Sequence, residues 1–217
     1  MHLIGYELDR LEKHLLTLTA VVEESVQLAI KALDDCNYDL AKKVVNNDAQ
    51  VNRMEVELEE ECLKVLALHQ PVANDLRMII AILKINNDLE RIADQAANIA
   101  ERAIAICELG NKKKHLNIDQ MAEKVMDMLE KSLDSLINAD IGTARAVLDL
   151  DDDVDTIHSQ NYQAFKSEIR QDPQLVDQLL NYLTVSRHLE RIADLATNIA
   201  EDVIYLNEGE IIRHTIA

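Results

Sequence analysis

From residue 2 to about residue 35, apolar side chains recur at helical spacing through Leu8, Leu11, Leu15, Leu18, Val22, Val26, Ala29 and Leu33. That period predicts one long amphipathic helix. Asp35 to Asp39 interrupt it, with Asp and Asn placed to cap the next start. A second helix runs to about Leu68, with Val51, Met54, Leu58 and Val65 on its core side. His69, Gln70 and Pro71 make the next corner, since proline suits a first helical turn and not an interior. The third helix ends near Leu109, Gly110 and Asn111, where glycine supplies the stop. Lys112 to Lys114 read as a solvated basic linker, and then the plan repeats. Asn117 with Gln120 has the form of a capping box, opening a fourth helix to about Ala139. Asp140, Ile141, Gly142 and Thr143 break it. A fifth helix runs to about Ile169, and Asp172 with Pro173 starts a sixth that ends near Asn207 to Gly209.

The third and sixth helices share one phrase. LERIADQAANIAERAI, Leu89 to Ile104, and LERIADLATNIAEDVI, Leu189 to Ile204, lie 100 residues apart and differ at only four of sixteen positions. The chain is therefore read as a duplication. The expected fold is all-α, a tandem duplication of two antiparallel three-helix bundles built from six long helices. The first repeat covers residues 1–110 and the second 111–217.

At about 100° per residue, Ile92, Ala93, Ala96, Ile99, Ala100 and Ala103 gather on one face of the repeated phrase. Glu90, Asp94, Asn98 and Glu101 gather on the other, as do Glu190, Asp194 and Asn198 in the second copy. Like charges four apart destabilise a helix by about 0.2–0.5 kcal/mol per pair. Holding that arrangement twice points to a cation between the carboxylates.

Composition agrees with helices. Four Gly, two Pro, one Phe and no Trp leave little turn punctuation and few strand formers. The formal net charge of −18 weighs against nucleic acid or an anionic membrane surface as a direct partner. Cys36, Cys62 and Cys107 are widely spaced and odd in number, so they read as reduced core cysteines. Charged residues follow the first few positions at once, and the most apolar run, Leu76 to Ile85, is too short to span a bilayer. A soluble, intracellular protein is expected.

In an antiparallel pair, residues equidistant from a corner face one another. Asp48 and Asp94 are each 23 residues from Pro71, and Asn52 and Glu90 each 19. Asp151 with Asp194, and Asp155 with Glu190, are likewise symmetric about the Asp172 and Pro173 corner. Glu55 extends the first stripe on the second helix, and His158 takes its place on the fifth. Carboxylates from two helices, with a carboxamide and in one half an imidazole, are hard donors. They suit magnesium, calcium, manganese or iron, with zinc possible where His158 contributes.

At these residues the chain resembles the PhoU family, whose signature is two copies of E(D)-x-x-x-D in tandem three-helix bundles. Glu90 to Asp94 and Glu190 to Asp194 match it, as do Asp48 through Asn52, Glu55, and Gln70, Pro71, Asp75, Leu76 and Arg77. The resemblance implies divalent or trivalent metal ions on the bundle surface, held by Glu90, Asp94, Glu190 and Asp194. Asp48, Glu55, Asp151, Asp155, His158, Asn98 and Asn198 stand as supporting candidates. It further implies a cytoplasmic, non-enzymatic negative regulator of phosphate uptake and phosphate-starvation signalling. Its partners would be the ATPase of the Pst phosphate ABC transporter and a PhoR-type histidine kinase, and it would be a homodimer.

Two other functions compete. A metal-free helical adaptor needs only an amphipathic face to dock a partner. A di-metal carboxylate oxidase needs two Glu-x-x-His pairs facing a four-helix core, whereas Asp155 with His158 occurs once and the Glu90 stripe faces away from the apolar side. No G-x-x-x-x-G-K-[ST] loop supports nucleotide hydrolysis. His188, just before the second motif, reads as a helix-surface histidine rather than a phosphate acceptor, since Asp88 holds that place in the first copy.

Overall fold

The computed structural model describes residues 2–110 and 116–209, so the basic linker at Lys112 to Lys114 lies outside the described residues. Six α-helices fill that span: α1 His2–Asp35, α2 Tyr38–His69, α3 Ala73–Glu108, α4 Ile118–Asn138, α5 Ile141–Gln171 and α6 Val176–Glu208. A single 3-10 turn, Pro173–Leu175, leads into α6. Helices α1, α2 and α3 pack on one another, as do α4, α5 and α6, giving the two expected three-helix bundles.

The corners follow local chemistry. Asn37 caps α2, its Oδ1 accepting from the amides of Asp39 and Leu40, both at 3.1 Å. Asp140 does the same for α5, accepting from Gly142 at 2.9 Å and Thr143 at 3.3 Å. The α3 stop is Gly110, whose φ of 71° is open to glycine at little cost.

Two corners differ from expectation. Asn117 makes no side-chain cap; its own amide instead donates to Asn161 Oδ1 at 2.7 Å, because α5 brings a buried carboxamide to that end of α4. Pro71 is buried in the connection, with Gln70 left-handed at φ 46°, and α3 starts only at Ala73. The proline therefore shapes the corner instead of the first helical turn.

The cysteine expectation is overturned. Cys36, at the α1–α2 corner, and Cys107, in the last turn of α3, form a disulfide with Cα atoms 5.6 Å apart. Antiparallel packing returns the end of α3 to the α1–α2 corner, a proximity that 71 residues of separation conceal. Cys62 remains a buried thiol, pushed up to about 12 chiefly by burial and further by Glu61 and Glu59.

The halves meet along α3 and α6, and the apolar core runs through both without interruption. Along this seam Lys84 Nζ reaches Asp202 Oδ1 at 3.2 Å, and His188 Nδ1 lies 2.8 Å from Gln95 Oε1. Arg102 Nη1 donates to Asn181 Oδ1 at 3.5 Å. The partner numbers fall as their counterparts rise, so the two helices run antiparallel. Arg77 and Lys84 both stack over Tyr205 near the end of α6.

His188 is thus a half-buried seam residue and not a free surface histidine. Burial, Arg191 and Arg102 hold its pKa below the usual range. Asp202 is 1% exposed and sits against Lys84. Replacing Lys84 with Met should cost about 2 kcal/mol by removing that ammonium from a desolvated carboxylate. Urea unfolding would measure it, and a loss under about 0.5 kcal/mol would contradict the assignment.

Candidate functional site

Glu90, Asp94 and Asn98 succeed one another on α3 at four-residue spacing, and their face turns away from Ile92, Ala96, Ile99 and Ala103, which are buried. Across the groove, α2 supplies Asp48, Asn52 and Glu55. The helices are held level there by Asn86 Nδ2, which donates to the Glu55 carbonyl at 2.9 Å.

The acids are close enough to act on one another. Burial, and then the charge of Asp94, raises the pKa of Asp48, while the Asn52 amide, donating to its carboxylate at 3.2 Å, works the other way. Glu90 is raised by burial and by Asp94, Glu55 and Asp48. Glu55 is raised by burial and by Glu59. Asn98 spends its amide on Asp94, donating to the carbonyl at 2.7 Å and the carboxylate at 3.2 Å. The level pairing read from the corner thus gathers Asp48, Glu55, Glu90 and Asp94 in one groove.

In the second half α5 and α6 build the same groove. Thr197 Oγ1 donates to Asp151 Oδ1 at 3.4 Å, and His158 Nδ1 lies 2.9 Å from Ser186 Oγ. Burial and Asp155 raise Asp151. Asp194 is pushed up to about 6, first by burial and then by Glu190, Asp151 and Asp155, against the opposing effect of Arg191. Glu190 and Asn198 are half-buried, and Asp155 is exposed. His158 on α5 lines an open cleft with Glu190 and Asp194 on α6, so the imidazole and two carboxylates border one space.

The donors are chemically right for a hard divalent cation: oxygen ligands from two helices, each raising the proton affinity of its neighbours. Asn86, 1% exposed and one turn ahead of Glu90, keeps a buried Oδ1 with no hydrogen-bond partner among the described residues. Among the described residues, however, no three His, Cys, Asp or Glu side chains converge on a single metal-sized centre. The grooves present repelling carboxylates side by side rather than a closed cage.

Sequence reasoning missed Asn86, Ser186 and Thr197, which tie these grooves together. Asn86 and Ser186 occupy the position four residues before each motif glutamate, yet they are different residue types and read as ordinary helix polar sites.

Comparison with known proteins decides the family. The sequence model of the PhoU domain matches this chain twice, over residues 15–103 and 118–203. The chain belongs to the PhoU family. It is 40% identical over 208 residues to the phosphate-specific transport system accessory protein PhoU homolog of Aquifex aeolicus, covering 96% of this chain and 94% of that one. The crystal structure of PhoU from Pseudomonas aeruginosa superposes with a TM-score of 0.92 at 38% identity, covering 95% of this chain and 99% of that one. The phosphate transport system regulatory protein PhoU from Streptococcus pneumoniae gives 0.82 at 30% identity, covering 96% and 98%. These PhoU relatives are named as accessory and regulatory proteins and not as enzymes, in keeping with the non-enzymatic reading.

Proposed function

We propose that this chain is a regulator of phosphate uptake and of phosphate-starvation signalling, acting by helix-face contacts with the ATPase of a phosphate ABC transporter and with a PhoR-type histidine kinase. The observation that carries the reading is the match, over nearly its whole length, to proteins named as accessories of phosphate-specific transport. A cytoplasmic place beside a membrane transporter accords with the absence, among the described residues, of any helix long and apolar enough to cross a membrane. Action as a homodimer is part of the proposal.

The paired acids support a metal role within that function. Glu90, Asp94, Asp48 and Glu55 would hold one ion or cluster, and Glu190, Asp194, Asp151, Asp155 and His158 the other, with Asn98 and Asn198 at the margins. A bound cation would neutralise charges that otherwise raise one another's pKa and would present a positive spot on an acidic surface. Because His158 replaces Glu55, the second half favours a softer ion such as zinc or iron, and the first magnesium, calcium or manganese.

Deleting the gene should derepress a phosphate-starvation reporter in phosphate-rich medium. A reporter that stays silent would overturn the regulatory reading whatever the metal content of the protein.

A further inference from the structure

Six of the twelve large apolar side chains that stand exposed among the described residues fall between residues 56 and 80: Val56, Leu63, Leu68, Val72, Leu76 and Ile80, from 37% to 73% exposed. Four of them border one groove. Val56 and Leu63 lie seven residues apart on α2, close to two full turns, so they form a single stripe. Leu76 and Ile80 are one turn apart on α3. The level rule that pairs the acids pairs these side chains too, since Leu63 and Ile80 stand eight and nine residues from Pro71. Leu66 and Leu83, partly buried against the core, continue the apolar surface toward the groove.

The duplication supplies an internal control. With Asp48 set against Asp151 and Glu90 against Glu190, the second half has Ser159 where Val56 stands, Lys166 for Leu63, Gln171 for Leu68 and Asp172 for Val72. The same bundle is therefore built with polar residues at those places. Charge divides the halves in the same way. At about 100° per residue, Glu59 and Glu60 fall within about 60° of Leu63, one on each side of the stripe, while Arg53 and Lys64 lie about 80° and 100° round. Both glutamates are exposed, and neither forms an ion pair among the described residues. Their counterparts are Tyr162 and Gln163, and that of Asp75 is Leu175. An apolar stripe between carboxylates thus belongs to the first half, whatever the net charge of the whole chain.

We propose that this face of α2 and α3, next to their shared corner, docks an amphipathic helix of a partner protein whose apolar side is flanked by lysine or arginine. The partner's apolar side chains cover Val56, Leu63, Leu76 and Ile80, and its basic ones meet Glu59, Glu60 and Asp75. A helix suits the place because its own apolar positions recur at the one-turn and two-turn spacings that this face presents. Apolar contact supplies affinity, and the carboxylates select the sign of the partner and its orientation. Contiguous exposed apolar side chains rimmed by charge mark such surfaces on soluble proteins. The proposal rests on the regulatory reading and names the face through which the chain meets a partner. The reporter in the deletion strain tests regulation and helix binding tests this face, so either can fail alone.

The test is isothermal titration of the full chain, in chelator and about 0.15 M salt, with a synthetic helix of about 18 residues that carries leucine at helical spacing and lysine elsewhere. A second peptide replaces every lysine with glutamate. The lysine peptide should bind, and the glutamate peptide should be weaker by about tenfold or more. Val56→Ser with Leu63→Lys installs the second half's own residues and should weaken the lysine peptide by about tenfold or more. Glu59→Gln with Glu60→Gln should weaken it by about threefold and reduce its salt dependence. Leu180→Ser, on α6, should change nothing. No binding by about 1 mM, full affinity in the Val56 and Leu63 variant, equal binding of both peptides, or loss in the Leu180 variant would each overturn the proposal. Sedimentation of the same proteins covers the other occupant: self-association that the Val56 and Leu63 variant abolishes would give the face to a second copy of this chain and overturn it as well. The replaced side chains are exposed, and an unchanged far-ultraviolet spectrum checks that each variant folds.

Discussion

Replacing Cys36 and Cys107 together with Ser should lower the unfolding free energy of the oxidised protein by about 4 kcal/mol, the chain-entropy value for a closed loop of this size. The bond spans 71 residues and so ties the α1–α2 corner to the last turn of α3, enclosing nearly all of α2 and α3. Without it the unfolded chain regains that loop's freedom, while the folded helices keep their packing. For a chain of this length the loss corresponds to a fall in Tm of about 10 °C. Thermal unfolding of oxidised, reduced and double-Ser protein measures it, and the last two should coincide. A change under about 1 kcal/mol would show that the folded state gains nothing from the link. Cytoplasmic thiol pools keep most cysteines reduced, so the disulfide and the proposed location pull in opposite directions. Trapping thiols in acid-quenched cells and weighing the intact protein settles which fraction carries the bond where the protein works.

A divalent cation in hundredfold excess over its dissociation constant should stabilise the folded protein by about 2.7 kcal/mol at pH 7.5, and the gain should fade below about pH 6. Protons and metal compete for the same oxygens, and Asp194 holds its proton up to about 6. In metal-free protein the sign is opposite. A carboxyl whose folded pKa is raised above its unfolded value favours the fold while protonated, so its contribution is full below about pH 4 and is lost as pH climbs toward 6. Asp194 is substantially exposed, so solvent screening limits the loss to roughly 1 kcal/mol. Asp194→Asn should flatten that slope and weaken metal in the second half alone. Replacing Glu90 and Asp94 with Ala should empty the first half without loss of helicity, because the pair lies off the core. Elemental analysis and thermal melts with iron, zinc, magnesium, manganese and calcium, each against chelator, read these effects. A melt that none of the five ions moves would remove the metals from the proposed function.

Much of this could be read from apolar spacing. Leu8 through Leu33 on α1, and Ile92 through Ala103 on α3, are buried as their period demands, because a helix must hide its apolar stripe whatever its neighbours are. The corner arithmetic found the acid grooves for a similar reason: antiparallel helices of equal rise leave no freedom in which residues come level. Asn37 and Asp140 cap as expected, since a cap is a bond between near neighbours. Asn117 does not, and its own amide donates instead to Asn161, 44 residues away in the chain.

The amphipathic pattern also hid a second buried face. Gln95, 7% exposed, and Asp202, 1% exposed, lie against the opposite half, although their chemistry would put them in water. Only the meeting of α3 with α6 accounts for them, through Gln95 with His188 and Asp202 with Lys84.

The amino-acid order alone therefore determined the helices, the duplication, the apolar stripes and the pairing of acids across each corner, all consequences of local geometry and of hiding oil from water. The tertiary structure alone decided that the halves share one core along α3 and α6, that Cys36 meets Cys107, and that His188 sits half-buried in the seam. Those outcomes depend on which distant surfaces come together, and hydrophobic burial names no partner until shape and polar contacts select one.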